Sequence, residues 1–133
     1  LNCKGGESLI LHIDDWKDLD LFYNHSLAHA NIKWSSPPSK NVSKDVSHSV
    51  FFTEKELPCI SFIDQFAKPE NMEQGLYLAD ISESLEEDTN TISIDVSVGS
   101  MLIINNSCWL HGRDKITPHD NLSRELLRQR GVF

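Results

Sequence analysis

Residues 91 to 104 carry two apolar runs of different period, and both commit this part of the chain to β-structure. Thr91-Ile92-Ser93-Ile94-Asp95-Val96 alternates strictly, which predicts a strand with Ile92, Ile94 and Val96 facing inward. Met101-Leu102-Ile103-Ile104 is continuous, the pattern of a strand buried on both faces. Upstream, Gly5-Gly6 followed by Ser8 to Ile13 reads as a turn and a strand, and Asp14 or Asp15 is a candidate cap for a helix that uses Trp16, Leu19, Phe22 and Tyr23. Ile32 to Trp34 is a short strand. Val46 to Phe52 and Cys59 to Ile63 read as two strands, a hairpin around the turn Glu54 to Pro58. The stretch from Pro37 to Asp45, rich in Pro, Ser and Asn, is a loop. Asn71 caps a predicted helix running through Met72, Leu76, Leu78, Ala79, Ile81 and Leu85, in which Gly75 costs about 1 kcal/mol relative to Ala. The expected strands outnumber the expected helices.

With 133 residues and no low-complexity linker, the chain has room for one domain at most. It begins with Leu1 and runs almost at once into an apolar strand, so it reads as a piece cut from a longer protein. A formal charge of -8 argues against nucleic acid or an anionic membrane surface as the main partner. The charge is unevenly spread: residues 101 to 133 hold five Lys/Arg against three Asp/Glu, the first hundred seven against seventeen. A basic end on an acidic body suits a small anionic ligand better than a polymer. Cys3, Cys59 and Cys108 form no C-x-x-C pair, so neither a disulfide framework nor a thiolate zinc site is expected, and a reducing compartment fits. No apolar run approaches the roughly 20 residues that cross a bilayer.

Chemistry concentrates in Trp109-Leu110-His111-Gly112-Arg113-Asp114 and Arg124-Glu125-Leu126-Leu127-Arg128-Gln129-Arg130. A single imidazole placed just beyond a packed strand is a good metal ligand, because packing fixes the ring while one nitrogen stays available. Guanidinium groups nearby would hold a carboxylate that the metal also touches. That pairing points to iron and a 2-oxo acid. The backbone of Ser123 to Phe133 is left open by local rules. Propensity favours a helix ending at Gly131, whereas a strand would put Arg124, Leu126, Arg128 and Arg130 on one face. His48 and His119 read as structural or surface histidines. Lys40 and Lys44 either close over an anionic ligand, serve a subunit contact or are simply solvated. Trp34, Trp109 and Phe66 read as core or interface, and Cys108 as a small buried hydrophobe.

Gly99-Ser100-Met101-Leu102-Ile103-Ile104-Asn105-Asn106 followed by His111-Gly112-Arg113 resembles the closing strands of the iron(II)/2-oxoglutarate-dependent dioxygenases of taurine dioxygenase and clavaminate synthase type. Gly5-Gly6-Glu7-Ser8-Leu9-Ile10-Leu11-His12-Ile13-Asp14-Asp15-Trp16, Pro37 to Val46, Ile63-Asp64-Gln65-Phe66 and Arg124 to Gly131 are similar to one branch, the carbon-starvation-induced glutarate 2-hydroxylases (CsiD type). The resemblance covers residues 1–133 but about the C-terminal half of that family's length.

The resemblance implies part of a double-stranded β-helix, or jelly roll, truncated on its N-terminal side, with residues 1–133 as the C-terminal part of a single domain. It implies a 2-His-1-carboxylate facial triad on Fe(II) with three positions open for 2-oxoglutarate and dioxygen, His111 supplying one vertex. Arg124 matches the anchor for the far carboxylate of 2-oxoglutarate, and Arg128, with Arg130 as competitor or helper, would receive a carboxylate of glutarate. The implied reaction converts 2-oxoglutarate to succinate and carbon dioxide and glutarate to 2-hydroxyglutarate. The implied setting is cytoplasmic, in a homo-oligomer. His12-Ile13-Asp14 is itself an H-x-D, but in the resembling family this stretch is a strand and helix cap. The iron-binding H-x-D lies further upstream, so these residues alone are expected to be inactive. Two other readings are a metal-free jelly-roll module that binds an anion, with His111 structural, and a non-catalytic remnant of such an oxygenase.

Overall fold

The computed structural model describes residues 5–36, 44–117, 125–128 and 131. Among them the chain is mainly β, with small antiparallel sheets and two α-helices. Strand β1 (Ser8–His12) lies between β7 (Ile92–Ile94) and β8 (Trp109–Arg113). Strand β2 (Ile32–Trp34) lies between β3 (Val46–His48) and β6 (Ala67–Lys68), and β4 (Phe51–Glu54) pairs with β5 (Leu57–Ile60). Helix α1 is Leu19–Tyr23 and α2 is Met72–Glu87.

Helix α2 forms where its sequence signals place it. The Asn71 side chain accepts from the Gln74 N–H at 2.8 Å, which satisfies one donor of the first turn, and the Gln74 amide oxygen accepts from the Glu70 N–H just ahead of the cap at 3.0 Å. Gln74, Tyr77, Leu78 and Ile81 are buried along one stripe. Tyr77, Leu78 and Ile81 pack on a core of Leu11, Ile13, Trp16, Phe22, Ala28, Ile32, Trp34, Val50, Phe51 and Ile60. Trp16 stacks on Phe22, and the Tyr77 hydroxyl donates to the Phe22 carbonyl at 2.9 Å. Burial holds the phenol's pKa above its ordinary value.

The Gly5-Gly6 turn is a backbone requirement. Both residues have positive φ, +83° and +78°, and a Cβ on Gly5 would land on the Lys115 carbonyl oxygen. That close approach lets the β1–β8 ladder continue outward, through the Asp114 N–H donating to the Glu7 carbonyl at 3.0 Å to a bridge between Gly5 and Ile116.

Several expectations change. Val46 to Phe52 is two strands: β3 pairs with β2, and β4 turns into the hairpin, because buried Val50 takes the chain from one sheet to the other. Asp14 and Asp15 belong to a 3-10 turn over Ile13–Asp15, and α1 is preceded by Asp18, whose side chain makes no capping bond. Met101 to Ile104 is irregular, with Met101 and Ile103 mostly exposed. A run buried on both faces needs neighbours on both sides, and no described residue pairs with it. In β7, Ile92 is exposed and Ile94 half-buried, because the strand turns these side chains away from the core. The question of helix or strand at residues 123–133 falls mostly outside the described residues; Glu125 to Arg128 is neither.

The hairpin turn is Lys55-Glu56, both in the left-handed region (φ 49° and 67°), where non-glycine residues cost about 1–2 kcal/mol each. Changing Lys55→Asn together with Glu56→Gly fits the turn geometry that two-residue hairpins prefer. The pair is expected to stabilise the protein by about 1–2 kcal/mol in urea unfolding. An unchanged midpoint would show that the turn is not strained.

Candidate functional site

The β1–β8 register decides which side chains meet. Ile10 lies opposite His111, Ser8 opposite Arg113 and His12 opposite Trp109, while Ile10 and Ser8 also face Ile92 and Ile94 of β7. Residues directly opposite in an antiparallel pair share a face. One face of the sheet therefore carries His111, Arg113, Trp109, Ser8, Ile10, His12, Ile92 and Ile94. The alternate residues Leu11 and Leu110 turn the other way, onto the core. His111 is thus held on a strand whose opposite face is anchored by packing, and it is exposed.

The Arg128 guanidinium reaches this face. Its Nη2 lies 3.4 Å from His111 Nε2. Guanidinium is only a donor, so in this contact Nε2 is the acceptor. A metal ion bound at Nε2 would use the same lone pair and so would displace this Arg128 contact. Of the three arginines expected near His111, Arg128 is the one whose contact with the ring is described. Arg124 and Arg130 lie outside the described residues. Arg113 was passed over as a site residue, although its spacing of two from His111 on a strand places it on the same face.

As a metal centre the described residues offer one candidate donor, the His111 imidazole. His111 has suitable donor chemistry, but among the described residues no three His, Cys, Asp or Glu come together. The paper triad of His12, Asp14 and His111 is therefore not formed. Instead His12 Nδ1 accepts from the Asp14 N–H at 3.2 Å, starting the 3-10 turn, and its ring meets Trp109 edge-on at 4.8 Å.

The other candidates are structural where they are described. His48 stacks on buried Trp34, with centroids 4.9 Å apart, and its Nδ1 donates to the Ser49 carbonyl at 2.9 Å. Cys108 is half-buried against the core, and desolvation pushes its thiol pKa up. Phe66 ends a 3-10 turn, and Lys44 is exposed, its carbonyl accepting from the Ser36 hydroxyl. Lys40 and His119 lie outside the described residues. A cleft of about 370 Å³ beside α1 and α2 is lined in part by Asp18, Asp80, Glu83 and Glu87, four carboxylates that repel an anionic ligand. No helix among the described residues is long and apolar enough to cross a membrane.

The CsiD family model matches residues 1–133. A glutarate 2-hydroxylase of Pseudomonas putida strain F1 is 53% identical over 131 residues, which is 98% of this chain and 40% of that protein. The glutarate 2-hydroxylase of Salmonella typhimurium strain LT2 is 50% identical over 133 residues, 99% of this chain and 41% of that protein. The chain thus spans about 40% of the length of the curated relatives it matches.

Proposed function

The chain belongs to the CsiD family, and on that premise we propose that it is the C-terminal part of an Fe(II)/2-oxoglutarate-dependent dioxygenase that hydroxylates glutarate at C2. The observation that carries this reading is the meeting of His111 and Arg128 on one sheet face, in a chain whose relatives are named glutarate 2-hydroxylases. In the proposal the domain is completed as a double-stranded β-helix by the rest of the protein. An upstream H-x-D provides the two remaining iron ligands, and residues 1–133 alone do not turn over. The protein works in the cytoplasm as a homo-oligomer, with small dicarboxylates and dioxygen as its partners.

His111 would hold the metal through a ring nitrogen, the strand beneath it being fixed by the β1–β8 ladder and by Leu110 packed on the core. Iron(II), when bound, supplies the dioxygen activation that couples decarboxylation of 2-oxoglutarate to hydroxylation of glutarate. Arg124 takes the far carboxylate of 2-oxoglutarate. Arg128, aided by Arg130, takes a carboxylate of glutarate and orients C2 toward the metal. An arginine fork suits both tasks, since it stays charged and binds a carboxylate with two parallel hydrogen bonds.

In the full-length protein, Arg124→Ala is expected to weaken mainly 2-oxoglutarate and Arg128→Ala mainly glutarate. Losing a charge-assisted pair costs about 1.5–3 kcal/mol, roughly ten- to 150-fold in affinity. Titration of each variant with each diacid checks the assignment; equal weakening of both ligands in both variants would overturn it.

A further inference from the structure

Ile10 is an aliphatic side chain buried away from the core. It is 7% exposed, yet it is not part of the cluster built by Leu11, Ile13 and their neighbours, because it points to the opposite face of β1. On that face it lies directly between His111 of β8 and Ile92 of β7, with Cβ atoms of opposed residues about 4.5–5.5 Å apart. The row His111–Ile10–Ile92 thus runs from the imidazole into an apolar patch, and Ile94 continues that patch one row further along β7. The same face carries the Arg113 guanidinium beside His111 on β8, and Arg128 against the imidazole. Cations beside an aliphatic floor match a ligand with charged ends and a methylene middle.

We propose that Ile10, backed by Ile92, is the floor against which the methylene segment of a five-carbon diacid lies, so that the side chain at position 10 sets the chain length accepted. This rests on the function proposed above. Both 2-oxoglutarate and glutarate have the required chemistry, and the test separates them.

Binding is measured calorimetrically, without oxygen, on the iron-loaded full-length protein. One series is oxaloacetate, 2-oxoglutarate and 2-oxoadipate; the other is succinate, glutarate and adipate. A hydrophobic pocket discriminates one methylene by about tenfold or more. Ile10→Ala is therefore expected to raise the six- to five-carbon affinity ratio by about tenfold in one series, and Ile10→Val to raise it less, in the same direction. A shift confined to the 2-oxo series assigns Ile10 to the co-substrate, and one confined to the saturated series assigns it to the substrate. If Ile10→Ala does not fold, Ile10→Val decides. Ratios within twofold of wild type in both series, with five-carbon diacids still bound, overturn this inference alone. A wild-type protein that binds neither series overturns the proposed function and this inference with it.

Discussion

Replacing His111 by alanine in the full-length protein is expected to abolish iron retention and glutarate-dependent turnover while leaving the fold intact. Loss of even an outer-shell partner of a metal-binding histidine typically costs 10–100-fold, so removal of the ligand itself should lower activity by at least about 100-fold. The fold survives because His111 is exposed on β8, while the strand is held by its ladder to β1 and by Leu110 packed against the core. Substitutions at such positions stay within about 0.5 kcal/mol of wild-type stability. Iron content after gel filtration, turnover and a thermal melt on the same preparation check this. Wild-type iron content and turnover in His111→Ala would assign the ring a structural role and favour the metal-free anion-binding module.

The opposite pattern is expected at Phe51. Its side chain is fully buried, stacked on Trp16 at 6.2 Å and set edge-on to Tyr23 at 5.4 Å, and its N–H donates to the Ala28 carbonyl at 3.1 Å. The residue joins the β4–β5 hairpin to the aromatic cluster around α1, so truncation leaves a cavity that several elements cannot close together. Phe51→Ala should cost about 3–5 kcal/mol, a large share of the roughly 5–15 kcal/mol that holds a domain folded. Urea unfolding reads the loss directly. A cost below about 1 kcal/mol would place the centre of the core elsewhere.

How much of this was legible in the sequence depends on whether the signal was local. Helix α2 announces itself through Asn71 and the spacing of Leu78, Ile81 and Leu85, because caps and periodicity act within a few residues. Strand β1 after Gly5-Gly6 is equally local. The hairpin was visible as two apolar segments around a turn within Glu54 to Pro58, but the left-handed backbone of Lys55 and Glu56 was not, since neither residue favours it. Facing is a non-local property. The alternation at Thr91 to Val96 found β7, yet it could not tell the core side from the His111 side, and Ile92 is on the latter. Met101 to Ile104 shows the same limit, because an apolar run carries no record of which segment lies against it, and Met101 and Ile103 are mostly exposed.

The site divides in the same way. His111 and Arg128 stood out by residue type and by resemblance, and they lie together. Ile10 and Arg113 did not stand out, because their place beside the imidazole follows from strand register, which one sequence specifies weakly. The H-x-D at His12 shows the converse: the right residue types at the right spacing serve here to start a turn.

In the proposed function this sheet face brings a ferrous ion together with two five-carbon diacids. The most direct test is product analysis on the full-length protein supplied with Fe(II), dioxygen, 2-oxoglutarate and glutarate. Glutarate-dependent consumption of 2-oxoglutarate is expected, with succinate and 2-hydroxyglutarate formed in equal amounts. Iron and both diacids bound, with no 2-hydroxyglutarate formed, would contradict the proposed function.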